Sequence, residues 1–185
     1  MKHSLPTNST HIMKKKVLFT LALIVSTVFF TLKAQNWNEI INATASDTAA
    51  DDWFGYSVAI DGDYAIVGAP YNDDASLNSG SAYIFVRSGG SWIEQVKLTA
   101  SDAAANDQFG RSVAIDGDYA IVGAYYNDDN GSGSGSAYVF MRSGGSWTEQ
   151  AKLTASDAAV NMFSVSVAID GDYAIIGALI NDDSW

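Results

Sequence analysis

Residues 54–70 read FGYSVAIDGDYAIVGAP, residues 109–125 read FGRSVAIDGDYAIVGAY, and residues 163–179 read FSVSVAIDGDYAIIGAL. Asp61 and Asp116 are 55 positions apart, and Asp116 and Asp170 are 54 apart. The missing residue falls between Asp157 and Phe163. Self-similarity at a period of roughly 50 marks a repeat architecture. The repeat extends beyond this stretch. Trp37-Asn38-Glu39, Trp92-Ile93-Glu94 and Trp147-Thr148-Glu149 keep the same spacing and lead into the same Ala-Ser-Asp.

Each unit predicts four strands. Phe54–Ile60 alternates Tyr56, Val58 and Ile60 against Ser57 and Ala59, as a half-buried strand does. Asp61-Gly62-Asp63 is a tight hairpin signal, since glycine tolerates positive φ and aspartate does so better than most residues. Tyr64–Ala69 is apolar on both faces and contains small residues, so it is covered on both sides by close neighbours. Ser81–Arg87 alternates again, and Ser88-Gly89-Gly90 turns into Ser91–Thr99. That last strand carries Glu94, Gln95 and Lys97 and is the most exposed. Four antiparallel strands grading from apolar to polar, in units of about 55 residues, describe a blade of an all-β propeller. A solenoid would have shorter coils and would lack two tight hairpins per repeat.

Cysteine is absent, which excludes a disulfide framework and thiolate metal sites. Both histidines, His3 and His11, precede the repeats, so His-dependent triads and common zinc sites are excluded from them. All 21 acidic residues follow position 35, whereas five of the ten basic residues precede it. The repeat region therefore carries 21 acids against 5 bases, a net −16. Such a surface repels nucleic acid and anionic lipid. It suits a secreted protein and the company of a divalent cation. Lys14-Lys15-Lys16 followed by the apolar run Val17–Leu32 and Lys33-Ala34-Gln35 has the form of a secretory signal peptide cleaved after Ala34, with Met13 as the start. The run is short of the ~20 residues of a spanning helix. No second such segment follows, and no membrane span is expected after leader removal. The expected layout is a leader at 1–34 and repeats at 35–185. The repeat region comprises a fourth-strand copy at 37–47, units at 54–100 and 109–155, and a partial unit at 163–185. An incomplete ring is the expectation, with the opening fourth strand joining the last blade of a longer protein.

Phe54-Gly55 followed by Gly68-Ala69-Pro70 resembles the FG-GAP repeat of integrin α-chain propellers and many bacterial secreted proteins. The motif departs to Gly123-Ala124-Tyr125 in the second unit, and to Phe163-Ser164 with Gly177-Ala178-Leu179 in the third. The resemblance implies a propeller and an adhesive or recognition role. Its calcium-binding form has a longer, EF-hand-like loop between the first two strands. Here that loop is only Asp61-Gly62-Asp63, with counterparts at Asp116/Asp118 and Asp170/Asp172. Two side chains cannot supply the six to eight oxygens that calcium takes.

Strand order places the inter-unit linkers and the loops between the second and third strands on one face. That face collects Asp47, Asp51, Asp52, Asp102, Asp107 and Asp157. It also carries the recurring Asn-Asp-Asp: Asn72, Asp73, Asp74, then Asn127, Asp128, Asp129, then Asn181, Asp182, Asp183. The opposite face has the hairpin aspartates with Arg87 and Arg142. With Tyr71 and Tyr126, the first two Asn-Asp-Asp runs are the ligand-face candidates; Asp73, Asp74, Asp128 and Asp129 are the candidate calcium ligands. The same runs also suit solubilising turns, because Asn and Asp cap turns through their own backbone. Trp53 and Tyr125 are further aromatics able to stack on sugar rings or to cover a blade edge. No carboxylate pair stands out for glycosidase chemistry, and no enzyme activity or cofactor is expected. The leading expectation is a secreted or cell-surface, non-catalytic module binding a protein or glycan partner. The alternatives are a calcium-dependent structural module and an accessory propeller of a larger extracellular enzyme.

Overall fold

The computed structural model describes residues 43–47, 49–156 and 162–179. The expected leader, most of the 37–47 copy, Asp157 and Asn181–Asp183 lie outside them. The described residues contain ten strands and no helix, and hence no helix long and apolar enough to cross a membrane. One antiparallel sheet runs β1 (Ser57–Asp61), β2 (Tyr64–Ala69), β3 (Ser81–Ser88), β4 (Ser91–Leu98). A second runs β5 (Phe109–Asp116), β6 (Tyr119–Ala124), β7 (Ser136–Ser143), β8 (Ser146–Thr154). A third holds β9 (Ser166–Asp170) and β10 (Tyr173–Gly177). These are two propeller-type blades and the inner hairpin of another, and the described residues close no ring.

The second strand keeps its expected bounds, but the first does not. It starts at Ser57, because Phe54–Tyr56 forms a turn in which the Gly55 amide donates to Gly68 O (3.0 Å) and the Tyr56 amide to Trp53 O (3.1 Å). In the second unit the strand does reach back to Phe109, which pairs with Ala124 and, through a parallel bridge, with Gly80 of the preceding unit. A bulge between Phe109 and Ser112 takes up the two residues between them.

The core lies between the blades. Ile66, Ala82 and Ile84 of the first blade meet Phe109, Val113, Ile115, Val122, Tyr138 and Phe140 of the second. Their spacing of two along each strand puts every one on the facing side. Burial of each isoleucine, valine and phenylalanine among them contributes about 1.5–3 kcal/mol. The repeat shows what this contact does. Val113 and Ile115 are 8% and 7% exposed, whereas the identical Val58 and Ile60 on the outer face of the first blade are 69% and 66% exposed.

The motif glycines sit where the blades come closest. A Cβ at Gly68 would fall on the carbonyl oxygen of Gly110, and the hydroxyl of Ser57 donates to that same oxygen at 2.7 Å. Ser112 repeats the bond one unit on, donating to Ser164 O at 2.6 Å. Ser164 takes the place of the motif glycine but keeps its left-handed backbone, with φ 72° against 91° at Gly55 and Gly110. Its hydroxyl is buried without a partner among the described residues. A non-glycine residue held there costs about 1–3 kcal/mol, and an orphaned buried hydroxyl adds to it. Ser164→Gly is therefore expected to stabilise the chain by about 1–2 kcal/mol, after the greater freedom of glycine in the unfolded chain is deducted. A thermal melt that does not rise would show that the third unit has already relaxed this position.

On the hairpin face, Asp63 Oδ1 accepts from Arg87 Nε (2.8 Å) and Nη2 (2.6 Å), and Asp118 repeats this with Arg142. The other aspartate of each turn reaches the next hairpin: Asp61 Oδ2 accepts from the Gly117 amide (2.9 Å) and Asp116 Oδ2 from the Gly171 amide (2.6 Å). The Asp-Gly-Asp turns thus pin strands within a blade and hairpins between blades.

Candidate functional site

The linkers and the 71–80 and 126–135 loops share a face, as the strand order requires. Asn72 and Asn127 are not at its surface. They are 2% and 1% exposed and act as hubs. Asn127 Nδ2 donates to Asp107 Oδ2 (3.1 Å), while its Oδ1 accepts from the Ser136 hydroxyl (2.7 Å) and the Asp129 amide (3.4 Å). Asn72 does the same with Asp52, Ser81 and Asp74. Each hub ties the linker to the start of the third strand. Burial raises the Asp107 carboxyl above its ordinary value, although the Ala104 amide and Asn127 donate to it.

The aspartates after each hub are also engaged. Asp73 Oδ1 accepts from the Asn78 amide and Asp128 Oδ1 from the Gly133 amide, both at 2.6 Å. Asp74 and Asp129 are ion-paired with Lys97 and Lys152. The same lysines reach back to the linker, with Lys97 Nζ 2.7 Å from Asp47 and Lys152 Nζ 2.7 Å from Asp102. The Tyr138 hydroxyl donates to Asp102 at 2.7 Å. Burial alone would raise the Asp102 carboxyl, but hydrogen bonds from Lys152 and Tyr138 and the lysine charge outweigh it and hold it below the usual range. Asp47 is lowered in the same way by Lys97 and Tyr83 against burial. An ammonium group thus sits between the linker carboxylate and the loop carboxylate in each unit. Among the described residues, no three acidic side chains lie together as a metal-holding group.

The aromatic candidates form a more open arrangement. Tyr71 packs edge-on to Trp53 (4.5 Å between centroids), and Trp53 stacks with Tyr56 (6.0 Å). The Arg111 guanidinium lies over both Tyr56 (4.6 Å) and Tyr125 (4.9 Å), and Tyr125 meets Tyr126 edge-on (4.2 Å). The result is a continuous row across the two blades, in which Trp53, Tyr56 and Tyr126 remain exposed. Among the described residues Arg87, Lys97, Arg142 and Lys152 each have a carboxylate partner, and Arg111 has none. Beside Tyr126 the face dips into a concavity lined by Asn106, Gln108, Asp128, Ser132 and Gly133. Gln108 is 7% exposed and its side-chain carbonyl has no donor among the described residues. Neither Arg111 nor Gln108 was singled out by the sequence pattern. The signal was there, since both sit where otherwise matching units differ: Gln108 replaces Trp53, and Arg111 replaces Tyr56.

Stacked four-stranded antiparallel blades with loops gathered on one face define a propeller-type repeat protein. The FG-GAP repeat profile matches residues 37–85, 92–140 and 147–184, and the chain belongs to that family. Its unit starts at the outer-strand tryptophan, the phase in which the Ala-Ser-Asp linker precedes the blade it locks. Ser46 bonds Glu94 through both amide (2.7 Å) and hydroxyl (3.0 Å), and Ser101 does the same to Glu149. The comparison with curated proteins returns no match.

Proposed function

We propose that this chain is an extracellular, non-catalytic recognition module that binds a protein or glycan partner through its loop face. The supporting observation is where the units differ. The first two units are identical from Ser57 to Ala69 and from Ser112 to Ala124. Their differences fall on the outer strands and, most radically, on the loop face: Trp53 against Gln108, Tyr56 against Arg111, Pro70 against Tyr125, and Leu77 against Ser132. A rigid scaffold with divergent loops is how repeat folds carry recognition. The signal-like leader and the acidic surface support an extracellular setting, which is also typical of FG-GAP repeats. Asp47, Asp52, Asp73, Asp74, Asp102, Asp107, Asp128 and Asp129 are engaged in turns and ion pairs, which supports a scaffolding role for these carboxylates and recognition through the aromatic and polar side chains beside them.

The test is retention. The full chain, immobilised and exposed to extracellular and cell-surface fractions, is expected to hold back a discrete protein or glycan. Charge-preserving changes on the loop face, such as Tyr56→Ser with Trp53→Ser, are expected to release it. Retention that survives those changes but is lost on altering the hairpin face would overturn the assignment to the loops.

A further inference from the structure

We propose that the concavity beside Tyr126 is a binding site for a neutral sugar residue. This rests on the recognition reading above and names the ligand class. Three observations carry it. First, in the first unit the corresponding place is taken by the chain's own side chains: Trp53 stands where Gln108 does and packs against Tyr71, the counterpart of Tyr126. Leu77 stands where Ser132 does. In the second unit these positions hold a polar and a small residue, and a solvent-open concavity of about 490 Å³, lined also by Met162, lies there. That lies within the roughly 300–1,000 Å³ of small-ligand sites. Trp53 also shows what kind of body fits such a place, namely a flat ring set against a tyrosine.

Second, the site holds an unmet acceptor, the Gln108 carbonyl, beside the Asp128 carboxylate, of which one oxygen accepts from the Gly133 amide. The Gln108 carbonyl is buried and unpartnered, so its amide gives up no bond by turning toward the concavity. An unmet acceptor of this kind costs about 1–3 kcal/mol until a donor reaches it. Asp128 adds an exposed carboxylate. Sugar hydroxyls are the donors that match, and the carboxylate disfavours an anionic ligand. Third, Tyr126 is 39% exposed at the rim and begins the row that continues through Tyr125 and Arg111 to Tyr56. Further residues of an oligosaccharide leaving the concavity meet planar groups along that row.

The experiment titrates the full chain with neutral trisaccharides (cellotriose, maltotriose, galactotriose, triacetylchitotriose) and with trigalacturonate, followed by tyrosine and tryptophan fluorescence and ligand-observed NMR. At least one neutral series is expected to bind and trigalacturonate is not. Gln108→Leu, which removes the acceptor, is expected to weaken binding about tenfold, the worth of one well-made hydrogen bond. Gln108→Trp, which restores the filling seen in the first unit, is expected to abolish binding while the melting temperature holds. Absence of binding by every neutral sugar, preference for trigalacturonate, or binding undiminished in Gln108→Trp would each overturn the proposal. A retained protein partner indifferent to Gln108→Trp would leave the recognition reading standing and remove the sugar site.

Discussion

Phe109→Ala is expected to destabilise the chain by about 3–5 kcal/mol, the range for emptying a fully buried phenylalanine site, whereas Phe54→Ala is expected to cost less than half as much. The two residues are the same letter of the same motif. Phe109 packs edge-on against Tyr138 (5.5 Å) and Phe140 (6.0 Å), and Phe54 packs edge-on against Tyr83 (5.5 Å) and Phe85 (6.1 Å). Within their own blades they are therefore equivalent. They differ in what lies over them. Phe109 is fully buried, because the Ser79-Gly80 segment of the preceding unit crosses it: its amide donates to Ser79 O at 2.9 Å, and a Cβ at Gly80 would collide with its backbone. Phe54 is only partly buried against the Ala45, Tyr83 and Phe85 cluster. The difference between the two substitutions thus measures coupling between neighbouring units, which a one-dimensional repeat array relies on. Urea denaturation followed by far-UV circular dichroism reads both. Equal losses for the two variants would mean that blades hold themselves and the contact between them adds nothing.

The blades were legible because their signals are local. Alternation fixes Val58, Ile60 and Ile66 on opposite faces of a hairpin, and Asp-Gly-Asp and Gly-Gly fix the turns. The loop face was legible only as a place. Asn72-Asp73-Asp74 reads equally as a ligand cluster and as a turn, because a sequence does not say that Asn72 is buried. That burial follows from Asp52 and Ser81, 20 and 9 positions away, meeting over it. The lysine partners were hidden for the same reason. Lys97 finds Asp47 at a separation of 50 residues and Asp74 at 23, and only the folding of the linker across the outer strand brings the three together. Tyr126 was visible as an aromatic on the right face. Its neighbours were not, since Gln108 and Arg111 acquire meaning only from what Trp53 and Tyr56 do in the unit before.

Alkaline solution is expected to unfold this chain abruptly, with stability level to about pH 9 and falling steeply above pH 10, where free tyrosine ionises. The cause is the pair of buried phenols beneath the lysine clusters. Burial comes first, and the neighbouring carboxylates add to it: Asp102 accepts from the Tyr138 hydroxyl, and Asp47 faces Tyr83. Both phenols are pushed far above their ordinary 10.0. In the unfolded chain they lose their protons near that ordinary value, but in the folded chain they keep them. The stability they contribute is therefore complete below pH 10 and is lost as pH rises beyond it. The loss runs at about 1.4 kcal/mol per pH unit for each phenol that only the unfolded chain ionises. Lys97 and Lys152 act in the same direction. Burial lowers them, but hydrogen bonds to Asp47 and Asp74, and to Asp102 and Asp129, leave them above 10.5, so their contribution too is lost only as pH rises. Urea midpoints measured from pH 8 to pH 12 test this, with Tyr83→Phe/Tyr138→Phe as the comparison. The double variant is expected to be less stable at pH 8, having lost the Tyr138 hydrogen bond to Asp102, worth about 1 kcal/mol, yet to decline more gently above pH 10, so that the two curves converge. Parallel curves would show that the phenols do not titrate differently in the folded chain, and that the clusters over them are open to water.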